Sequence, residues 1–155
     1  MSNSREIILF YLEERTYAVP ISDVRKIELA SDITPLPEAP DIVAGIVNLK
    51  GDIVPVVNIK KRFNMKESGV RLTDYFIFGK KSVHNIALLV DKIGDIIEIR
   101  ESDIVEREFI LPELGFVEGA LKLEGNIILI HDLEKCLTPG EKQSLEKAMQ
   151  LKAGV

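Results

Sequence analysis

The stretch VAGIVNLKGDIVPVVNIKKRF, residues 43–63, lines up without a gap on VEGALKLEGNIILIHDLEKCL, residues 117–137. Gly119 falls 74 residues after Gly45, and Gly125 falls 74 residues after Gly51. Six positions are identical, and five others exchange one aliphatic side chain for another. Each copy reads strand, turn, strand, helical turn. The Gly-Asp or Gly-Asn at the turn is expected to put glycine at the first turn position, where it supplies the positive φ that a two-residue hairpin needs. Self-similarity of this kind marks one supersecondary unit used twice.

Outward from the two copies the chain is β-rich. Val117, Gly119, Leu121 and Leu123 alternate with Glu118, Ala120, Lys122 and Glu124, the pattern of a half-buried antiparallel strand. Further runs at 7–12, 17–20, 24–29, 53–57, 75–78, 83–90, 97–99 and 127–130 bring the expected number to about ten short strands. A Leu-Pro-Glu precedes each copy, as Leu36-Pro37-Glu38 and Leu111-Pro112-Glu113. The expectation is a single mainly β domain over 1–155, made of one five-strand unit at 6–70 and another at 71–137. Five short strands bury a face most simply as a small closed barrel, so two barrels in tandem are predicted. A short turn over Ile59–Phe63 and a helix over 138–152 are the expected helical pieces. Thr138-Pro139-Gly140-Glu141 has the form of a capping box with proline at the first helical position. Leu145, Ala148 and Met149 give that helix a narrow apolar stripe, which predicts docking on the body of the protein.

Composition excludes several function classes. The chain has 155 residues, 46% hydrophobic and 29% charged, which suits a folded domain rather than a disordered one. A net charge of −5 argues against tracking a phosphate backbone, so no nucleic acid is expected as a partner. The longest stretch free of Asp, Glu, Lys and Arg runs only from Ser82 to Val90, far below the ~20 apolar residues of a membrane helix, so no direct membrane insertion is expected. The N-terminus has no secretory pattern, and one cysteine, Cys136, cannot form an internal disulfide; both point to the cytoplasm.

Catalytic chemistry has little to work with. His84, His131 and Cys136 are the nucleophile or base candidates, and two histidines give no recognised zinc spacing. His131-Asp132 ends the second copy where the first has Val57-Asn58, so a small cytoplasmic hydrolase using His131 and Asp132 is the alternative reading. Neighbours on a strand point to opposite faces, which weighs against it. Gly45 and Gly51 match neither a phosphate loop nor a dinucleotide fingerprint and read as hairpin glycines. No cofactor and no metal are expected. Lys60-Lys61-Arg62 reads as a solvated face. If Val43, Gly45, Val47 and Leu49 point inward, then Ala44, Ile46, Asn48 and Lys50 form an outward face that is less polar than its equivalent Glu118, Ala120, Lys122 and Glu124. An exposed apolar strip marks a protein contact, so a non-enzymatic binding module is the leading reading.

Tyr17-Ala-Val-Pro-Ile-Ser-Asp-Val-Arg-Lys-Ile, then Leu36-Pro37 with Pro40, then GIVNLKGDIVPVVNIKKRF, resemble the CheW-like domain family, whose typical run is Gly-x-x-Asn-Leu-Arg-Gly-x-x-x-Pro-x-x-Asp-Leu. Val90-Asp91-x-Ile93-x-Asp95-Ile96 is similar to that family's second-barrel strand, and the similarity runs from about Glu6 to Leu151. With no added domain, the chain resembles the family's free-standing members. The resemblance implies two SH3-like five-stranded barrels. It also implies an adaptor that couples the cytoplasmic tip of methyl-accepting chemotaxis receptors to the regulatory domain of the histidine kinase CheA, at the inner face of the membrane through receptor arrays. By position it implies protein-interaction residues Val24, Lys26, Gly45, Asn48 and Lys50 in the first barrel, and Phe116 and Leu121 in the second. Ile46 joins them from the outward face and Glu28 from the charge pattern.

Two positions depart from the family pattern. Lys50 replaces the arginine of the Asn-Leu-Arg-Gly run, and Lys26 stands where many members carry glutamate. On a strand with Ile27 and Leu29 inward, Val24, Lys26 and Glu28 share the outer face. Two cations would repel, so Glu28 is expected to serve as the counter-ion of Lys50 or to lie between the lysines.

Overall fold

The computed structural model describes residues 4–63, 65, 69–80, 85–106 and 115–153. His84 and Leu111-Pro112-Glu113 lie outside them. Eleven strands and one helix are present among the described residues: β1 (Ser4–Leu12), β2 (Arg15–Pro20), β3 (Val24–Leu29), β4 (Val43–Leu49), β5 (Asp52–Val57), β6 (Tyr75–Gly79), β7 (Ala87–Val90), β8 (Lys92–Arg100), β9 (Ile104–Glu106), β10 (Val117–Leu123), β11 (Asn126–His131) and α1 (Pro139–Ala153). Four three-residue-per-turn helices, Ile21–Asp23, Ile59–Phe63, Glu101–Asp103 and Leu133–Lys135, punctuate them.

The strands form two sheets, in the orders β8-β1-β2-β11-β10-β9 and β3-β6-β7-β5-β4. Mainly β architecture with two sheets and a C-terminal helix is as the sequence predicts. The boundaries 6–70 and 71–137, however, describe the sequence repeat and not the sheets. Each sheet takes the opening hairpin of one half and the closing strands of the other. The exchange is symmetric, since replacing β1, β2, β8, β10 and β11 by β6, β7, β3, β4 and β5 converts the first order into the second. Even β9 has its counterpart, a single bridge between Thr34 and Ile46 on β4. The halves meet through a parallel pair in each sheet, Leu129 opposite Tyr17 with Ile130 opposite Ala18, and Val56 opposite Ala87 with Val57 opposite Leu88.

The physical reason lies in strands that are apolar on both faces. On β1, Ile7 and Leu9 point into one core while Ile8, Phe10 and Leu12 point into another. On β7, Ala87 and Leu89 face one core, and Leu88 and Val90 face the other. A free-standing barrel would leave one of those faces wet. Exchange of hairpins buries both, with a core inside each sheet and a larger one between them.

The ladders are also open and are six- and five-stranded, where two closed five-stranded barrels are predicted. They are nonetheless strongly curled. β8 and β9 lie on opposite edges of the first sheet, which if flat would be ~24 Å apart at ~4.8 Å per strand spacing. The link Glu101–Asp103 spans at most ~14 Å from Arg100 to Ile104.

The repeated hairpins share their geometry residue for residue. A bulge sits between Val43 and Gly45, and another between Val117 and Gly119. Both turns are two residues long, Lys50-Gly51 and Glu124-Gly125, between the pairs Leu49–Asp52 and Leu123–Asn126. Glycine therefore takes the second turn position rather than the first. With φ of 51° and 89° in one turn and 50° and 82° in the other, both are type I′, which suits the twist of the strands they join. Gly45 and Gly119 have a separate task. A Cβ on Gly45 would lie 2.3 Å from the Thr34 carbonyl oxygen, and one on Gly119 would lie 2.8 Å from that of Val105. Both glycines admit the last strand of the curl.

The helix starts as its sequence predicts. The Glu141 amide donates to Thr138 Oγ1 at 3.1 Å and the Thr138 amide donates to Glu141 Oε1 at 2.8 Å, a reciprocal capping box. Leu145 and Ala148 are buried in the inter-sheet core, and Met149 packs against it.

Candidate interaction surface

β3 is an edge strand of the second sheet, paired only with β6, and every position along it is at least partly exposed. Edge strands need charge to resist unwanted pairing, and Arg25, Lys26 and Glu28 supply it. A bulge between Val24 and Lys26 breaks the alternation. Val24 and Ile27 consequently lean on the same core. Leu29, expected inward, has the facing of Ile27 but ends the edge strand and is 59% exposed. Lys26 Nζ lies 2.7 Å from Glu28 Oε1. Glu28 thus serves Lys26 rather than Lys50, because the two share a strand while Lys50 tops the hairpin of β4 and β5. The bridge from strand to hairpin exists but uses other residues: Arg25 Nη1 donates to Asp52 Oδ2 at 2.9 Å. Asn48 Oδ1 accepts from the Gly51 amide at 2.8 Å, which braces the turn under the exposed Lys50. The Arg25–Asp52 bridge thus ties the β3 edge, which carries Val24, Lys26 and Glu28, to the hairpin that carries Asn48 and Lys50.

The other predicted contact residues are elsewhere or covered. Ile46 is 5% exposed: it faces away from Val47 and Leu49, as the alternation predicts, but that face is covered by the inter-sheet core, and the bulge at Ala44 brings Val43 onto the same side. Gly45 is buried against Thr34. Leu121 is 3% exposed inside the first sheet, and Phe116 is 8% exposed in an aromatic cluster. The outward apolar strip on β4 reduces to Ala44, with Asn48 polar.

His131 is fully buried, ringed by Phe10, Tyr17, Phe63 and Phe116 at centroid distances of 5.3, 5.4, 5.5 and 6.0 Å. Neither ring nitrogen has a hydrogen-bond partner among the described residues, and burial pushes its pKa down to about 3. The Asp132 carboxylate is occupied with the Glu134 amide at 3.0 Å. A base and an orienting carboxylate must share a hydrogen bond and reach substrate, and this pair does neither. Cys136 is buried, with its thiol pushed up to about 12 by desolvation, which suppresses the reactive thiolate. The described residues contain no group of three metal-ligating side chains, and no helix among them is long and apolar enough to cross a membrane.

The Lys60-Lys61-Arg62 run, predicted as a solvated face, is a set of ties. Lys60 is buried and its Nζ lies 2.7 Å from Asp91 Oδ1, joining the end of the first half to the crossover between β7 and β8. Burial alone would raise the Asp91 carboxyl. Hydrogen bonds from Lys60 and from the Glu13 amide, with the charge of Arg71 at 3.1 Å, outweigh that and hold it below the usual carboxylate range. Lys61 Nζ donates to the Asp41 carbonyl at 2.7 Å. Arg62 donates to the Cys136 carbonyl at 3.0 Å and pairs with Glu141, securing the start of α1. Of the partners, Asp91 carried a sequence signal as part of the Val90-Asp91 motif and Glu141 as part of the capping box, but neither signal pointed to the basic run.

The model of the CheW-like domain matches residues 6–140. The chain belongs to the CheW-like family. Among its relatives, the "Chemotaxis protein CheW" of Rhizobium meliloti is 30% identical over 145 residues, covering 92% of this chain and 94% of that protein. The protein of the same description from Treponema pallidum is 25% identical, covering 90% and 86% respectively. The crystal structure of the scaffolding protein TtCheW from Thermoanaerobacter tengcongensis matches with a TM-score of 0.79 at 30% identity, over 91% of this chain and 96% of that one.

Proposed function

We propose that the chain is a chemotaxis coupling adaptor, without chemistry of its own, that joins the cytoplasmic tip of methyl-accepting chemotaxis receptors to the regulatory domain of the histidine kinase CheA. The observation that carries this reading is the CheW-like match across residues 6–140 together with the TtCheW fold over 91% of the chain. Burial of His131 and the engagement of Asp132 leave the hydrolase alternative without support. The adaptor works in the cytoplasm, held at the inner membrane face by its receptors.

The β3 edge with Val24, Lys26 and Glu28, and the hairpin with Asn48 and Lys50 to which Arg25 ties it, are the contact surface in this reading. An edge strand braced to a tight hairpin presents charges at fixed spacing, and fixed charge governs association rate and partner choice more than raw affinity. Individual contacts of this size are moderate in strength and gain from repetition in an array. Co-sedimentation of the chain with receptor-containing vesicles and kinase tests the proposal. Pelleting with both partners is expected, and failure to join either one ends the adaptor reading.

A further inference from the structure

A pocket of about 540 Å³ opens between the turn at Ile59–Phe63, the residues leading into β10, and the first turn of α1. Arg62, Lys135 and Lys142 stand around the edges of Phe116, Leu137 and Pro139, and none of its described lining residues is acidic. Three cations on one pocket are unexpected in a chain of net charge −5. The nearby carboxylate of Glu141 is engaged by the Thr138 amide and by Arg62. Lys135 and Lys142 have no ion pair among the described residues. No anion site is assigned to the helix terminus, where Pro139 has no N–H and the Glu141 amide is taken by Thr138 Oγ1.

We propose that this pocket docks an acidic peptide segment of a partner protein, with carboxylates facing Lys135 and Lys142 and an adjacent apolar side chain against Phe116 and Pro139. The wall chemistry favours that occupant over a free phosphate. The Arg62 guanidinium, which offers the forked geometry that phosphate prefers, is already held by the Cys136 carbonyl and Glu141. What remains available is two point charges beside an apolar floor, and a compact inorganic anion would leave that floor uncovered. The volume lies in the range of ~300–1,000 Å³ that binding pockets occupy. The site belongs to the first sheet and α1, away from the β3 edge, so its failure and that of the coupling surface are separate results.

The test is fluorescence anisotropy on the full chain with a labelled Glu-Glu-Leu-Glu-Glu peptide at low salt, with amide NMR shifts to locate binding. Saturable binding is expected, with shifts confined to Gly115, Phe116, Lys135, Leu137, Thr138 and Lys142. The Lys135→Glu, Lys142→Glu double variant should weaken it by about fivefold or more, and the Lys135→Gln, Lys142→Gln pair, a gentler change, by about half that factor. Replacing the peptide's leucine with serine should weaken binding as well. Equal affinity for the serine peptide or in both double variants, shifts spread elsewhere, or displacement by millimolar inorganic phosphate would each overturn the proposal.

Discussion

The hairpin of β4 and β5 and that of β10 and β11 are built on one plan and used differently. Both have a bulge, a glycine where another strand presses close, a two-residue turn ending in glycine, and an exposed isoleucine, Ile53 or Ile127, one residue past the turn-flanking pair. From the end of the last strand onward they diverge. The first copy places Lys60 in a buried ion pair with Asp91, whereas its equivalent, Glu134, is exposed. The second copy places His131 in an aromatic ring, whereas its equivalent, Val57, packs in the core as an ordinary aliphatic. Backbone-determining positions are retained because geometry tolerates few residues there. Polar side chains differ because the surroundings of the two copies differ: one meets the β7–β8 crossover and the other meets α1 and the end of the first half.

The largest test of that asymmetry is at the buried ion pair. Asp91→Ala strands Lys60 as an uncompensated buried charge and should cost about 3–5 kcal/mol in urea denaturation. Glu134→Ala at the equivalent place should stay within about 0.5 kcal/mol. Equal costs would mean that the two ends are not energetically distinct.

Equivalence is tested next, at the glycines. Gly45→Ala and Gly119→Ala each force a backbone shift and should cost about 1–3 kcal/mol, in parallel. Gly51→Val and Gly125→Val meet no neighbour, so only their positive φ penalises them, by more than ~1 kcal/mol for a β-branched residue. A large difference within either pair would break the shared plan.

His131 gives a pH signature. Its folded pKa, about 3, lies below the ordinary 6.5, so the unfolded chain binds the extra proton between those values. Stability is therefore complete above about pH 6.5 and falls by about 1.4 kcal/mol per pH unit as pH drops towards 4. His131→Leu keeps a similar volume, removes two unpaired nitrogens and should abolish this part of the slope without loss of stability at pH 7. An unchanged slope would place the acid sensitivity elsewhere.

The smallest effect on stability is at the turn. Lys50→Glu should leave the melting temperature nearly unchanged, since an exposed charge contributes at most about 0.2–1 kcal/mol. Binding to kinase or receptor should weaken in a salt-dependent way. Calorimetry showing unchanged affinity for both at low salt would make Lys50 an ordinary solvated residue.

Much of the local structure follows from the chain alone. The 74-residue repeat, the hairpins, the capping box and the apolar stripe on α1 are encoded by neighbours a few residues apart, where glycine position, alternation and capping chemistry act directly. Only tertiary structure decided which strands pair. Both halves carry nearly the same pattern, and local sequence does not distinguish a hairpin that closes on its own half from one exchanged with the other. The decision comes from the doubly apolar faces of β1, β2, β6 and β7, which are covered only when two sheets share a core. Facing past a bulge is equally non-local. One extra residue at Ala44 puts Val43 on the same face as Ile46, and the bulge at Arg25 puts Val24 on the same face as Ile27. So is the fate of the basic run, whose partners Asp91, Asp41 and Glu141 lie 20 to 79 residues from their cations, at separations set by the folded chain.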